Sequence, residues 1–184
     1  MDLEGTLESL TFLNEETGYA VVRLRVKGEA SPVTAVGTLT APAPGQTLEL
    51  KGEWQQHPRF GRQFRIRESR VRMPSSLDGI ERYLGSGLIK GIGPELARRI
   101  TERFGAETLS VLDREPQRLG EVEGIGAKRL SLLREAWEAQ RGIREVMLFL
   151  QSHGIGPGHA NRIFRQYGTD SVRRITENPY RLAE

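Results

Sequence analysis

Up to about residue 72 apolar and polar residues tend to alternate one by one. Beyond residue 76 the apolar positions recur every three or four. The first pattern predicts strands, whose side chains point alternately to opposite faces. The second predicts helices with one buried stripe. Tyr19 to Val26 is the clearest strand: Val22, Leu24 and Val26 share one face, and Arg23 and Arg25 the other. Thr6 to Phe12, Val33 to Leu39, Thr47 to Trp54 and Gln63 to Arg72 read as four more strands. Asn14 to Gly18 and Pro42-Ala43-Pro44-Gly45 supply turns between them. A boundary falls at Met73-Pro74-Ser75-Ser76. After it Leu77, Ile80, Tyr83 and Leu84 have helical spacing, with Ser75 or Ser76 placed to cap. The expected architecture is α+β in two domains: a small five-stranded β-barrel over residues 1–73 and an all-helical domain over residues 74–184.

Within the helical half one tripeptide recurs. Gly-Ile-Gly stands at Gly91-Ile92-Gly93, Gly124-Ile125-Gly126 and Gly154-Ile155-Gly156. Ala97 and Ile100 follow the first copy, Leu130 and Leu133 the second, Ala160 and Ile163 the third, and Pro94 and Pro157 open the first and third helices. Offsets of 33 and 30 residues between copies indicate one repeated supersecondary unit. Two glycines around an apolar residue allow a tight turn between helices, because glycine tolerates positive φ. The isoleucine turns inward, and the N–H groups of the turn and of the next helix's first turn are left unpaired. With the helix dipole they form an anion site that reads no base. A single copy would be no more than punctuation in a helical bundle; three with matched flanks point to function. A larger repeat runs from Gly91 to Leu119 and again from Gly154 to Leu182, with Phe104-Gly105 matching Tyr167-Gly168, and Glu115-Pro116 matching Asn178-Pro179. By that logic a fourth hairpin is expected a few residues after Glu184, and the chain is expected to be a fragment.

Composition narrows the chemistry. There is no cysteine, so disulfides and thiol catalysis are excluded. No apolar run of about 20 residues is present to span a membrane, and Met1-Asp2-Leu3-Glu4 does not begin a signal peptide. Formal net charge is only +3, yet 23 of the 27 basic residues are arginine, which suits phosphate better than lysine does. Arginine clusters between Arg59 and Arg72, where Phe64 and Ile66 alternate with Arg65 and Arg67 and where Trp54, His57 and Phe60 lie close by. With the breaks at Gly28, Gly37 and Gly52, five short strands suggest an OB-type barrel, with an SH3-like barrel as the alternative. On an OB barrel, Trp54, Arg65 and Arg67 would form a stacking platform for single strands. Candidate phosphate contacts in the helical half are Lys90, Gly91, Ile92, Gly93, Arg98 and Arg99 at the first hairpin. Gly124, Gly126, Lys128 and Arg129 serve the second, and Gly154, Ile155, Gly156, His159, Arg162 and Arg165 the third. Glu121 and Glu123 precede the second hairpin, which is therefore expected to contribute least. No catalytic cluster and no metal spacing is evident, and Gly85-Ser86-Gly87 lacks the lysine of a phosphate loop.

From about Ser76 onward the hairpins resemble the helix-hairpin-helix family of DNA-binding motifs. Three runs resemble the N-terminal region of long-form RecD-like DNA helicases: Trp54-Gln55-Gln56-His57-Pro58-Arg59-Phe60-Gly61-Arg62-Gln63-Phe64, Leu88-Ile89-Lys90-Gly91-Ile92-Gly93-Pro94, and Asn178-Pro179-Tyr180-Arg181-Leu182. That resemblance implies a parent helicase hydrolysing ATP with Mg and moving 5′ to 3′, whose motor would follow these residues. The region itself would hold no cofactor and catalyse nothing. The resemblance also implies a bacterial cytoplasmic, nucleoid-associated setting in repair or recombination. The expected partners are DNA, single-stranded or with a single-stranded tail, and other DNA-repair proteins, with no membrane. Two alternatives stay open. One is a stand-alone junction binder, since the RuvA family also joins an OB barrel to tandem hairpins. The other is a protein-interaction or regulatory module.

Overall fold

The computed structural model describes residues 1–177. Asn178-Pro179 and Arg181-Leu182, which carry the end of the larger repeat and one run of the family resemblance, lie outside the described residues. Five strands form first: β1 (Asp2–Leu13), β2 (Tyr19–Val26), β3 (Val33–Thr38), β4 (Thr47–His57) and β5 (Gly61–Arg72). They close into a barrel in the order β1-β2-β3-β5-β4. Only β3 and β5 pair in parallel; the other pairs are antiparallel. This is the Greek-key order of an OB-type barrel.

Alternation places the core as expected. Ala20, Val22 and Leu24 of β2 are fully buried beside Leu7, Leu48, Leu50 and Phe64. β1 breaks its parity twice, with register shifts between Leu7 and Ser9 and between Leu10 and Phe12. The first shift turns Leu10 onto the core face with Leu7, and the second turns Phe12 away from it. The β4–β5 ribbon is longer than the alternation suggests. It extends to His57 and Gly61, past the expected ends at Trp54 and Gln63. The ladder closes on the His57–Gly61 pair.

Helices follow: α1 (Leu77–Leu84), α2 (Pro94–Phe104), α3 (Thr108–Arg114), α4 (Ala127–Ser152), α5 (Pro157–Tyr167) and α6 (Ser171–Glu177). Ser76 is the N-cap of α1 and accepts the Gly79 N–H at 3.0 Å. One core joins α1 to α4, with Tyr83, Leu84, Ile89, Ile100, Leu112, Leu133 and Trp137 at its centre. A smaller one lies between the C-terminal part of α4 and α5, built on Val146, Met147, Leu150 and Ala160. No described helix is long and apolar enough to cross a membrane.

The loop between β3 and β4 ties the barrel to the helices. Ala43 is fully buried in the helical core, and its N–H donates to the Gln46 side chain at 2.8 Å. Gly45, at φ 89°, lies so close to α1 that a Cβ there would collide with the Gly79 carbonyl and approach the Tyr83 amide to 2.7 Å. Only glycine permits that approach.

Candidate nucleic-acid interface

The three hairpins share one construction. Gly91, Gly124 and Gly154 take φ of 94°, 92° and 76°. The turn thus requires glycine at its first glycine position. The second position differs from the expectation that either glycine needs positive φ: Gly93 and Gly156 are extended N-caps at φ −92° and −65°. Ile92 and Ile125 are buried at 4% and 6% exposure and pin their turns to the helical core. Ile155 is half-buried against the α4–α5 cluster. The first helical bonds are Ala97 N–H to the Gly93 carbonyl, Leu130 to Gly126 and Ala160 to Gly156, each at 2.8–2.9 Å. The preceding amides, those of Gly93, Glu95 and Leu96 in the first hairpin, have no backbone acceptor among the described residues. Gly93, Gly126 and Gly156 are exposed, and a Cβ on any of them would meet nothing within 4 Å. The amide sites are open.

The first two hairpins interlock. A Cβ on Gly91 would lie 3.2 Å from Leu133 of α4, and one on Gly124 3.1 Å from Arg99 of α2. Arg99 also donates to the Glu123 carbonyl at 3.4 Å, and Arg129 to the Gly124 carbonyl at 3.2 Å. Each turn is therefore braced from the other's helix or from its own. The third hairpin backs onto the barrel instead. A Cβ on Gly158 would lie 2.9 Å from the Thr17 carbonyl oxygen, and Arg165 lies 3.7 Å from Glu16. Asn14 shapes that turn by accepting the Glu16 and Thr17 amides at 2.9 and 3.1 Å.

The cations divide into free and committed groups, which spacing alone does not reveal. Arg98 bonds Glu95 at 2.6 Å and Glu102 at 2.7 Å, and Arg99 lies 3.3 Å from Glu95. Hydrogen bonding and the charge of Arg98 hold the Glu95 carboxyl below the usual carboxylate range. The Arg98 guanidinium is held still more firmly protonated, chiefly by its hydrogen bonds to Glu95 and Glu102. Glu95 thus places a fixed anion in the first turn of α2, beside the first amide site. At the second hairpin Glu121 is taken up by Arg103 and Arg118. Lys90, Lys128, His159 and Arg162 are exposed and make no ion pair among the described residues. His153, just before the third hairpin, packs on Phe149 at 4.2 Å and lies 2.9 Å from the Phe149 carbonyl.

On the barrel, Arg67 reaches both Glu53 carboxylate oxygens, at 3.0 and 3.1 Å. Arg65 is exposed and makes no ion pair among the described residues. Trp54 is half-buried: its ring meets Phe64 edge-on at 5.4 Å, and the Arg62 guanidinium lies 3.7 Å over it. One face of that ring is already covered. Phe12 and Tyr19 are open aromatics, 51% and 43% exposed, with centroids 6.3 Å apart. They flank the turn that carries Thr17, so this pair borders the third hairpin. Register aligns Phe12 with Val21, Val21 with Val36, and Val36 with Arg65. A row thus runs across the barrel from an aromatic to a free arginine, with Val36 between them buried at 6% exposure. Tyr19 was legible in sequence, being out of phase with Val22 and Leu24. Phe12 was hidden by the parity breaks.

A closed five-stranded OB-type barrel followed by glycine-opened helical hairpins defines a class: barrel plus tandem helix-hairpin-helix. Comparison with known proteins gives the particulars. Residues 1–74 match the OB-fold domain of the ATP-dependent DNA helicase YrrC. Residues 83–139 match the SAM-like helix-hairpin-helix tandem, and residues 139–184 the helix-hairpin-helix domain of the ATP-dependent RecD2 DNA helicase. The ATP-dependent RecD2 DNA helicase of Deinococcus radiodurans is 27% identical over 175 residues, which is 92% of this chain and 24% of the relative. The chain therefore matches an N-terminal region of a RecD-like helicase and spans about a quarter of that relative's length.

Proposed function

We propose that this chain is the DNA-binding region of an ATP-dependent helicase that moves 5′ to 3′, and that it grips DNA without reading sequence. The observation that carries the reading is the open amide site repeated at Gly93, Gly126 and Gly156, each beside a buried or half-buried isoleucine. Backbone N–H groups and a helix dipole hold phosphate and carry no base information. Lys90, Lys128, Arg129 and Arg162 add charge around these sites, and His159 adds a polar ring beside the third. The barrel contributes a single-strand path over Phe12, Tyr19 and Arg65, where bases stack and phosphates pair. The preferred ligand is DNA with a single-stranded tail, served by hairpins and barrel together. Titration with unrelated sequences at two salt concentrations tests this. Affinity should be micromolar, equal across sequences and weaker at higher salt. A strong preference for one sequence would refute recognition through hairpin amides.

A further inference from the structure

The β4–β5 ribbon carries a feature that neither hairpins nor barrel face uses. Among the described residues β1 pairs with β4 as far as Lys51, and the ladder between β3 and β5 joins Ala35 to Phe64 and Val36 to Arg65. Between Trp54 and Phe64 the two strands pair, among the described residues, only with each other. They leave the barrel as a two-stranded ribbon, turning through Pro58, Arg59 and Phe60. His57 fixes the turn: its Nδ1 accepts the Arg59 and Phe60 amides, each at 3.1 Å. Phe60 stands at the apex and is 66% exposed. Its ring lies 4.8 Å from the His57 ring, with the Arg59 guanidinium 5.7 Å from its centroid.

Three facts narrow the partner. Residues 54–64 contain Arg59 and Arg62 and no acid, so the apex suits a polyanion. Its shape is fixed by its own hydrogen bonds, so little ordering is needed on contact. It offers one open ring, because Trp54 is covered by Arg62 and Phe64 is buried. A continuous single strand calls for a series of rings, as Phe12 and Tyr19 begin to provide. One ring at the end of a projecting ribbon can cover only one base plane.

We propose that Phe60 stacks on the terminal base pair where duplex meets single strand, with Arg59 and Arg62 on the flanking phosphates. The ribbon would thereby set this chain at a junction rather than anywhere along a strand. The inference rests on the DNA-binding reading and adds to it the end of a duplex as a specific ligand. The test compares a 5′-tailed duplex carrying 2-aminopurine in the junction pair with a single strand of equal length, using wild type, Phe60→Ala and Phe60→Trp. Phe60→Ala should weaken binding to the tailed duplex about fivefold or more, the lower range for one base–aromatic stack. It should also abolish the 2-aminopurine response, while single-strand affinity and thermal midpoint stay unchanged. Phe60→Trp should restore both. Equal loss on both ligands would overturn the inference. So would an unchanged affinity for the tailed duplex, which is the result expected if the apex instead met a protein. In either case the DNA-binding reading would survive. A wild-type chain that binds neither DNA would refute both.

Discussion

Leucine at Gly93 and Gly156 separates function from folding. Both glycines lie in extended backbone, and a Cβ on either meets nothing within 4 Å. Neither the conformation nor the packing of the fold opposes a side chain there. The cost is the poorer N-cap, about 1 kcal/mol per site. In a domain of this size that corresponds to a fall in thermal midpoint of about 2–4 °C per site. The effect on phosphate is larger. A leucyl side chain shields the amides of the cap and first turn, and a hydrogen bond to a charged group is worth about 1.5–3 kcal/mol. Losing one such bond weakens binding roughly tenfold or more, and losing one at each hairpin roughly a hundredfold. Circular dichroism melts and fluorescence anisotropy on a tailed duplex measure both quantities in the same samples. A Gly93→Leu, Gly156→Leu double variant that stays folded and binds with wild-type affinity would refute amide recognition. Gly91→Leu is unsuitable as a test, because φ of 94° and Leu133 at 3.2 Å would compromise folding first.

Two further outcomes follow from the division of cations. Glu95→Gln removes the anion beside the first amide site and releases Arg99 from its ion pair. Arg98 stays paired with Glu102, so the gain comes from the lost anion and from Arg99: DNA binding should tighten about threefold at low salt, with the gain vanishing at high salt; weaker binding in anisotropy titrations would contradict this. Arg65→Ala should reduce single-strand affinity and lower the salt slope by about 0.7, the value for one phosphate on a single strand. Arg67→Ala should change both less, because Glu53 already engages that guanidinium; equal losses would show that the ion pair does not matter.

Much of this organisation is written locally in the chain. Strand alternation located Val22 and Leu24, and the tripeptide located all three turns, because both signals depend on residues a few positions apart. The pairs Arg98–Glu95 and Arg98–Glu102 were also within reach, at helical spacings of three and four. What spacing could not supply was register. Arg67–Glu53, Arg72–Glu49 and Arg103–Glu121 join residues 14, 23 and 18 positions apart, so which arginines stay free depends on strand and hairpin pairing. The same holds for Trp54. Its sequence neighbourhood suggested an open stacking surface, whereas the ladder puts Arg62 over its ring and Phe64 at its edge. The apex at Phe60 emerged only once β4 and β5 were seen to pair beyond the barrel.

The central claim is that backbone amides of the hairpins hold phosphate. The most direct measurement is an amide nitrogen–proton chemical-shift map of the isotopically labelled chain titrated with a tailed duplex. The largest shifts should fall on Gly93, Glu95 and Leu96 and on Gly156, Gly158 and His159, with smaller ones on Gly126 to Arg129, next to Glu121 and Glu123. A scrambled duplex should give the same pattern. Shifts confined to the barrel, with these amides unmoved at saturation, would contradict it.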